Sequence, residues 1–224
     1  MDLKNNFRPA LRETLPVMTG YLVLGAGFSM IMKANGFGIG WSLAMSIFIY
    51  AGSMQYLAVS LITGGASLLS VAITTLMVNA RHLFYGLSMT EPYRHAGPAK
   101  PYLIFALTDE TYSLVCMGDK TTEHCLLVSL LNQIYWVTGT ALGGILGSIL
   151  RINTEGIDFA LTALFLTVML DQWLNTDDHF PAITGAAASL LCLLLFGQGS
   201  FLIPSMIIIL TVLLLHDRKE AYCK

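Results

Sequence analysis

Apolar runs of membrane-crossing length dictate what this chain can become. Leu15–Met32, Trp41–Ile62, Ala66–Met89, Pro101–Gly118, His124–Leu150, Ile157–Trp173, Pro181–Phe196 and Ser200–Leu215 follow one another with short polar joints between them. A helix needs roughly 20 apolar residues, with a range down to about 17, to cross a hydrocarbon core of about 30 Å. Of the 224 residues, 55% are hydrophobic and only 12% charged, about half the charged content of a soluble domain. The expectation is an all-α, polytopic helical membrane protein with about seven or eight transmembrane helices. The last two runs are short and separated only by GQGS, so they also read as a re-entrant pair or as half-helices. The run from His124 to Leu150 is long enough to tilt or to break at its glycines. The expected domain plan is a cytoplasmic segment at 1–14, one transmembrane domain at 15–216 and a short polar tail at 217–224.

Charge placement sets orientation. Lys4, Arg8 and Arg12 precede the first run, and Arg218, Lys219 and Lys224 follow the last. With eight crossings both basic ends face the cytoplasm, as the positive-inside rule asks, although Arg94 and Lys100 then fall outside. The basic amino terminus superficially resembles a signal peptide. It lacks a small-residue cleavage site after a short core, so it reads as a retained first helix. No basic run or recognition motif points to nucleic acid. Cys116, Cys125, Cys192 and Cys223 show no metal-type spacing and no disulfide framework. Neither a cofactor motif nor a nucleophile with an assignable partner is present, so no catalytic or metal residue is assigned and an enzyme is not expected.

A weak internal similarity is present. TGYLVLGAGFSMI (Thr19–Ile31) resembles TGTALGGILGSIL (Thr138–Leu150), and YAGSMQY (Tyr50–Tyr56) roughly matches LTVMLDQW (Leu166–Trp173), setting Gln55 opposite Gln172. Transporter folds are often built from such repeats, with the site at their interface. Gly139, Gly143 and Gly147 recur every four residues on one helical ridge, where small residues let backbones approach closely. That pattern is first of all a packing signal.

Polar residues inside the runs are the costly ones. A charge near the bilayer centre costs roughly 2.5–3.5 kcal/mol on insertion scales and normally faces protein or water. In MVNARHLFYG (Met77–Gly86), Arg81 lies past the middle of its run and can snorkel. Snorkelling does not explain its companions. Read as one continuous helix, Asn79 and His82 are three apart and Arg81 and Tyr85 four apart, making a broad polar face. The counterpart lies in FALTDETYSL, where Asp109 and Glu110 interrupt the fourth run near its middle. Pairing Arg81 with one of them keeps both charges in place and leaves one acid over. The surplus acid is free to be protonated, to exchange protons or to meet a cationic ligand; a static network holding helices together is the structural alternative. Ser53, Gln55, Asn132 and Gln133 are further polar positions, of which Gln55 and Asn132 lie deep enough to need hydrogen-bond partners. His82, next to a buried carboxylate, is a candidate proton carrier.

Five segments in order, GAGFSM, YAGSMQYLAV, LMVNARHLFYGLS, LTDETY and GIDFALTALFL, resemble the AzlC family of bacterial branched-chain amino-acid exporters, over roughly residues 10–200. The resemblance implies a multi-pass permease of the bacterial inner membrane that exports valine, leucine, isoleucine or related neutral amino acids. It also implies a separately encoded, small hydrophobic AzlD-like membrane subunit as partner. On that reading the candidate substrate-binding residues are Arg81, Asn79, Asp109, Glu110 and Gln55, and the candidates for proton coupling are His82 and Glu110. An amino acid carries opposite charges: the Arg81 fork suits its carboxylate, and Asp109 or Glu110 its ammonium. The rival readings are a membrane scaffold subunit and a transporter or channel for another small polar solute.

Overall fold

The structure, a computed structural model, describes residues 3–116, 120–149, 166, 169–170, 173–174, 178–197 and 201–222. Every regular element among them is helical: α1 (Leu3–Ala34), α2 (Ile39–Phe48), α3 (Gly52–Thr63), α4 (Leu68–Val78), α5 (Arg81–Ser88), α6 (Lys100–Phe105), α7 (Asp109–Val115), α8 (Thr122–Ile149), α9 (Phe180–Phe196) and α10 (Leu202–Tyr222), with a short 3-10 turn at Gly97–Ala99. Most of the expected span Ile157–Trp173, including Asp171 and Gln172, lies outside the described residues. The chain forms two compact units, 1–162 and 163–224. In the second, α9 and α10 pack together, with Phe180 stacked on His216 at 4.1 Å.

The first unit is organised on α1 and α8. Gly139 lies against the backbone carbonyls of Leu22 and Tyr21, Gly143 against the backbone of Ala26, and Gly147 against Met30. Both series climb four residues at a time in the same direction, so the two helices run parallel. At Gly143 a methyl group would overlap the Ala26 main chain, and at Gly25 it would sit 2.7 Å from the Trp136 carbonyl oxygen. Glycine is what lets the two backbones touch. Contrary to one expectation, α8 does not break at these glycines: they form its contact ridge. The segments that resemble each other in sequence are thus the ones in contact, and they point the same way. At the other end of the pair, Glu13 ties α1 to the start of α8, accepting from Lys120 Nζ at 2.9 and 3.0 Å and lying 2.9 Å from His124 Nε2.

Three expected spans are broken instead of continuous. The run Trp41–Ile62 divides into α2 and α3 at Ile49–Ala51, where Tyr50 has φ +46°. A tyrosine in the left-handed region costs on the order of 1–3 kcal/mol and persists only where its surroundings impose it. Tyr50 is buried, its ring 6.2 Å from that of Phe105. The run Ala66–Met89 divides into α4 and α5, bent by 46°. Asn79 caps α4, its N–H bonded to the Thr75 carbonyl, and Arg81 opens α5. The run Pro101–Gly118 divides into α6 and α7 at Ala106–Thr108, and the Thr108 hydroxyl caps α7 by accepting from the Thr111 N–H at 3.2 Å. Such a cap contributes about 1 kcal/mol. Among the described residues, only α1 and α8 are long and apolar enough to cross a membrane singly, and the bent α4–α5 pair makes up to three.

Candidate functional site

The polar residues of the first unit gather where these breaks meet the α1–α8 pair. Arg81, at the first turn of α5, places Nη1 2.5 Å from Asp109 Oδ2 and donates from Nη2 to Ser53 Oγ at 2.8 Å. Each partner comes from the opening turn of another half-helix, Asp109 from α7 and Ser53 from α3. One ordinary hydrogen bond returns about 0.5–1.5 kcal/mol net, less than a lone arginine costs in hydrocarbon. A bond of that size to Ser53 does not by itself offset such a cost. The guanidinium turns to partners on two other half-helices. Asp109 is the acid that pairs with it. Side-chain exposures of 29% for Arg81 and 25% for Asp109 leave both open to a competing solute.

Glu110 faces the other way, toward α1. Tyr21 donates its hydroxyl proton to Glu110 Oε2 at 2.6 Å, and its oxygen lies 2.7 Å from Thr108 Oγ1. Thr108 continues to Thr111 Oγ1 at 3.0 Å, and Asn132 Nδ2 on α8 donates to that same Thr111 oxygen at 3.0 Å. A chain of hydrogen bonds therefore runs from α1 through the first turn of α7 to α8. No ion pair joins Glu110 to a lysine, arginine or histidine among the described residues.

Gln55 is fully buried but does not reach Arg81. Its Nε2 donates to Ser46 Oγ at 3.2 Å, which lies 2.8 Å from Thr140 Oγ1 on α8. Between Asn132 and Thr140 on the same face stands Trp136, edge-on to Tyr21 at 5.4 Å and with its ring against Gly52 at the opening of α3. Gln55 Oε1, Asn132 Oδ1 and Trp136 Nε1 are buried without a hydrogen-bond partner among the described residues. An unsatisfied buried polar atom costs about 1–3 kcal/mol.

Asn79 and His82 correct the single polar face expected from helical spacing. The break between Val78 and Arg81 removes the continuous helix that would have aligned them, because Asn79 ends one helix and His82 lies in the next. His82 Nδ1 lies 3.2 Å from the Asn79 carbonyl oxygen, and its ring meets Tyr85 edge-on at 5.6 Å. It lines a cavity of about 210 Å³ with Gly86, Met89, Tyr93, Lys100 and Leu107; Arg81, Asp109 and Glu110 are not part of that lining.

Tyr21, Thr108 and Thr111 were not among the site residues expected from sequence. The first carries no signal, being an aromatic in an apolar glycine-rich run. The threonines carried one: Thr108 followed by two acids and Thr111 is a helix-start pattern, legible once a break is entertained inside the run.

Broken helices whose opening turns converge on a half-buried ion pair, beside a close-packed parallel pair, define a helical membrane protein of the kind whose polar sites lie within the bundle. The family model described as AzlC protein matches residues 16–150, within the first unit. The chain belongs to the AzlC family. It is 42% identical to the "Branched-chain amino acid transport protein AzlC" of Bacillus subtilis (strain 168), over 92% of this chain and 84% of that one. It is 36% identical to an "Uncharacterized membrane protein" of Helicobacter pylori (strain J99), over 99% of each. It is 27% identical to the "Inner membrane protein YgaZ" of Escherichia coli (strain K12), over 73% of this chain and 72% of that one. No solved structure matches the chain.

Proposed function

We propose that this chain is the large subunit of a two-component permease of the bacterial inner membrane that exports branched-chain or related neutral amino acids, coupled to an ion gradient. The observation that carries the reading is the Arg81–Asp109 pair at the meeting of three helix breaks, with a second carboxylate, Glu110, beside it. A zwitterion replaces such a pair with little net change of charge: its carboxylate takes the Arg81 fork, its ammonium takes Asp109, and neither charge of the pair is left unpaired. The parallel run of α1 and α8 supports a multi-pass chain, because an odd number of crossings must lie between them and the bent α4–α5 pair offers one. Substrate class follows the Bacillus subtilis relative's name and the membrane assignment that of the Escherichia coli relative. The small AzlD-like subunit is carried by the family resemblance. His82 and Glu110 are the titratable side chains beside the pair that are candidates for ion coupling.

The test is efflux of leucine, isoleucine, valine and methionine from cells loaded with the matching dipeptides, expressing this chain with its small partner against an empty vector. Faster, saturable efflux of a subset supports the reading and names the substrates. No difference, with both chains shown to be in the membrane, overturns it in favour of another solute or a scaffold. Arg81→Lys is expected to insert normally and lose most of the efflux, since a point charge does not reproduce a fork.

A further inference from the structure

Two adjacent carboxylates on one short helix face different neighbours. Asp109 is locked on a guanidinium. Glu110 meets a ring of hydroxyls: Tyr21 of α1 and Thr108 at hydrogen-bond distance, and Tyr50 of the α2–α3 break nearby. The other titratable or charged groups that act on it are Asp109 on its own helix and Arg81 and Tyr85 of α5. From α8 comes only the neutral Asn132, through Thr111. The one cation in that set is already held by Asp109. A carboxylate fixed on an arginine cannot give up its charge without stranding the guanidinium. A carboxylate held only by neutral donors can gain or lose a proton and strand nothing.

We propose, on the basis of the export reading above, that Glu110 is the site at which the coupling proton is bound and released, that Asp109 serves as the partner of Arg81, and that His82 takes no part. In each cycle one proton taken from outside forms an O–H bond on a Glu110 oxygen. That bond breaks toward the cytoplasm and restores the carboxylate as one amino acid leaves; no other bond changes. The same carboxylate clasps α7 to α1. A charged acceptor makes a hydrogen bond roughly twice as strong as a neutral one, so protonation loosens the Tyr21 clasp. It thereby frees the half-helix that presents Asp109 to Arg81. Tyr21 is the positioning residue of this device.

Two measurements test it. Infrared titration of the purified protein in lipid is expected to show, beside the absorption of the other carboxyl groups, one distinct carboxylic-acid C=O band that appears and disappears with pH. The band should survive in Asp109→Asn and His82→Gln and be absent from Glu110→Gln. Tyr21→Phe keeps the carboxylate and should move the midpoint of the band by about one unit, the weight of a lost charge-assisted hydrogen bond. In proteoliposomes loaded with an amino acid found in the efflux assay, Glu110→Gln should lose accumulation driven by an imposed pH gradient, whereas His82→Gln keeps it. A band that persists in Glu110→Gln, an unmoved midpoint in Tyr21→Phe, or gradient-driven accumulation by Glu110→Gln overturns the assignment. Absence of amino-acid flux in the unaltered protein overturns the export reading instead, and the infrared arm still decides Glu110.

Discussion

The α1–α8 pair and the three broken pairs are assembled by opposite rules. In the first, glycines bring two long helices into backbone contact along Gly139 and Gly143, and the polar atoms that matter lie on the side of the pair. In the second, apolar runs of similar length are cut at Ile49–Ala51, Asn79–Ala80 and Ala106–Thr108, and the polar side chains stand at the cuts. Neither α4 nor α5 has a fully buried residue. Yet α5 carries the arginine that joins Asp109 to Ser53. A close-packed pair resists deformation, whereas a half-helix held through a few polar contacts can move as a unit. The contrast assigns α1 and α8 the frame and the half-helices the site.

The largest effect should come from disturbing the frame. Gly143→Leu drives a side chain into the Ala26 backbone. Overpacking typically costs about 1–3 kcal/mol where side chains can yield, and here main chain must move, so the loss should exceed about 3 kcal/mol. Thermal unfolding in detergent is expected to show it, together with loss of the protein from the membrane. Near-normal stability of this variant would mean that the two helices are not in backbone contact.

Next comes the pair within the site. Arg81→Ala should leave the frame's melting temperature nearly unchanged and reduce efflux on the order of a hundredfold, the scale of misplacing a bound group. The double exchange Arg81→Asp with Asp109→Arg restores the pair but reverses its polarity. It should recover membrane level more fully than efflux; full recovery of efflux would reduce the pair to a structural brace. A smaller effect is expected of Asn132→Leu, which removes the donor to Thr111 on the frame side of the hydrogen-bond chain. It should cost about 1–3 kcal/mol and slow exchange more than it weakens substrate binding. Equal loss in both would place Asn132 at the substrate instead. The least is expected of Thr108→Ala, about 1 kcal/mol for the cap of α7, recovered by Thr108→Ser.

Much of this was legible from energetic cost alone. Arg81 needed a carboxylate, and the motif in the fourth run offered two; the structure supplies Asp109 as its partner. The glycine ridge announced close packing, and Gly143 delivers it against Ala26. The breaks were not legible. None of the three cuts holds a proline, and Tyr50–Ala51, Asn79–Ala80 and Ala106–Leu107 are as compatible with a continuous helix as with its end. Helical spacing therefore put Asn79 and His82 on one continuous helix, whereas the 46° bend leaves Asn79 at the end of α4 and His82 in α5. Tyr21 was invisible for a related reason: an aromatic in an apolar run has no polar contrast until a partner is set against its hydroxyl.

The sequence by itself determined the solvent, the helical class and the pairing of charges. Each follows from the cost of placing peptide and ionised groups in hydrocarbon, which is counted residue by residue. Only the tertiary structure decided where helices stop, which carboxylate meets the arginine and which is left to hydroxyls. Those outcomes depend on contacts between segments far apart in the chain, such as Tyr21 with Glu110 and Asn132 with Thr111, and no local pattern encodes the distance between them.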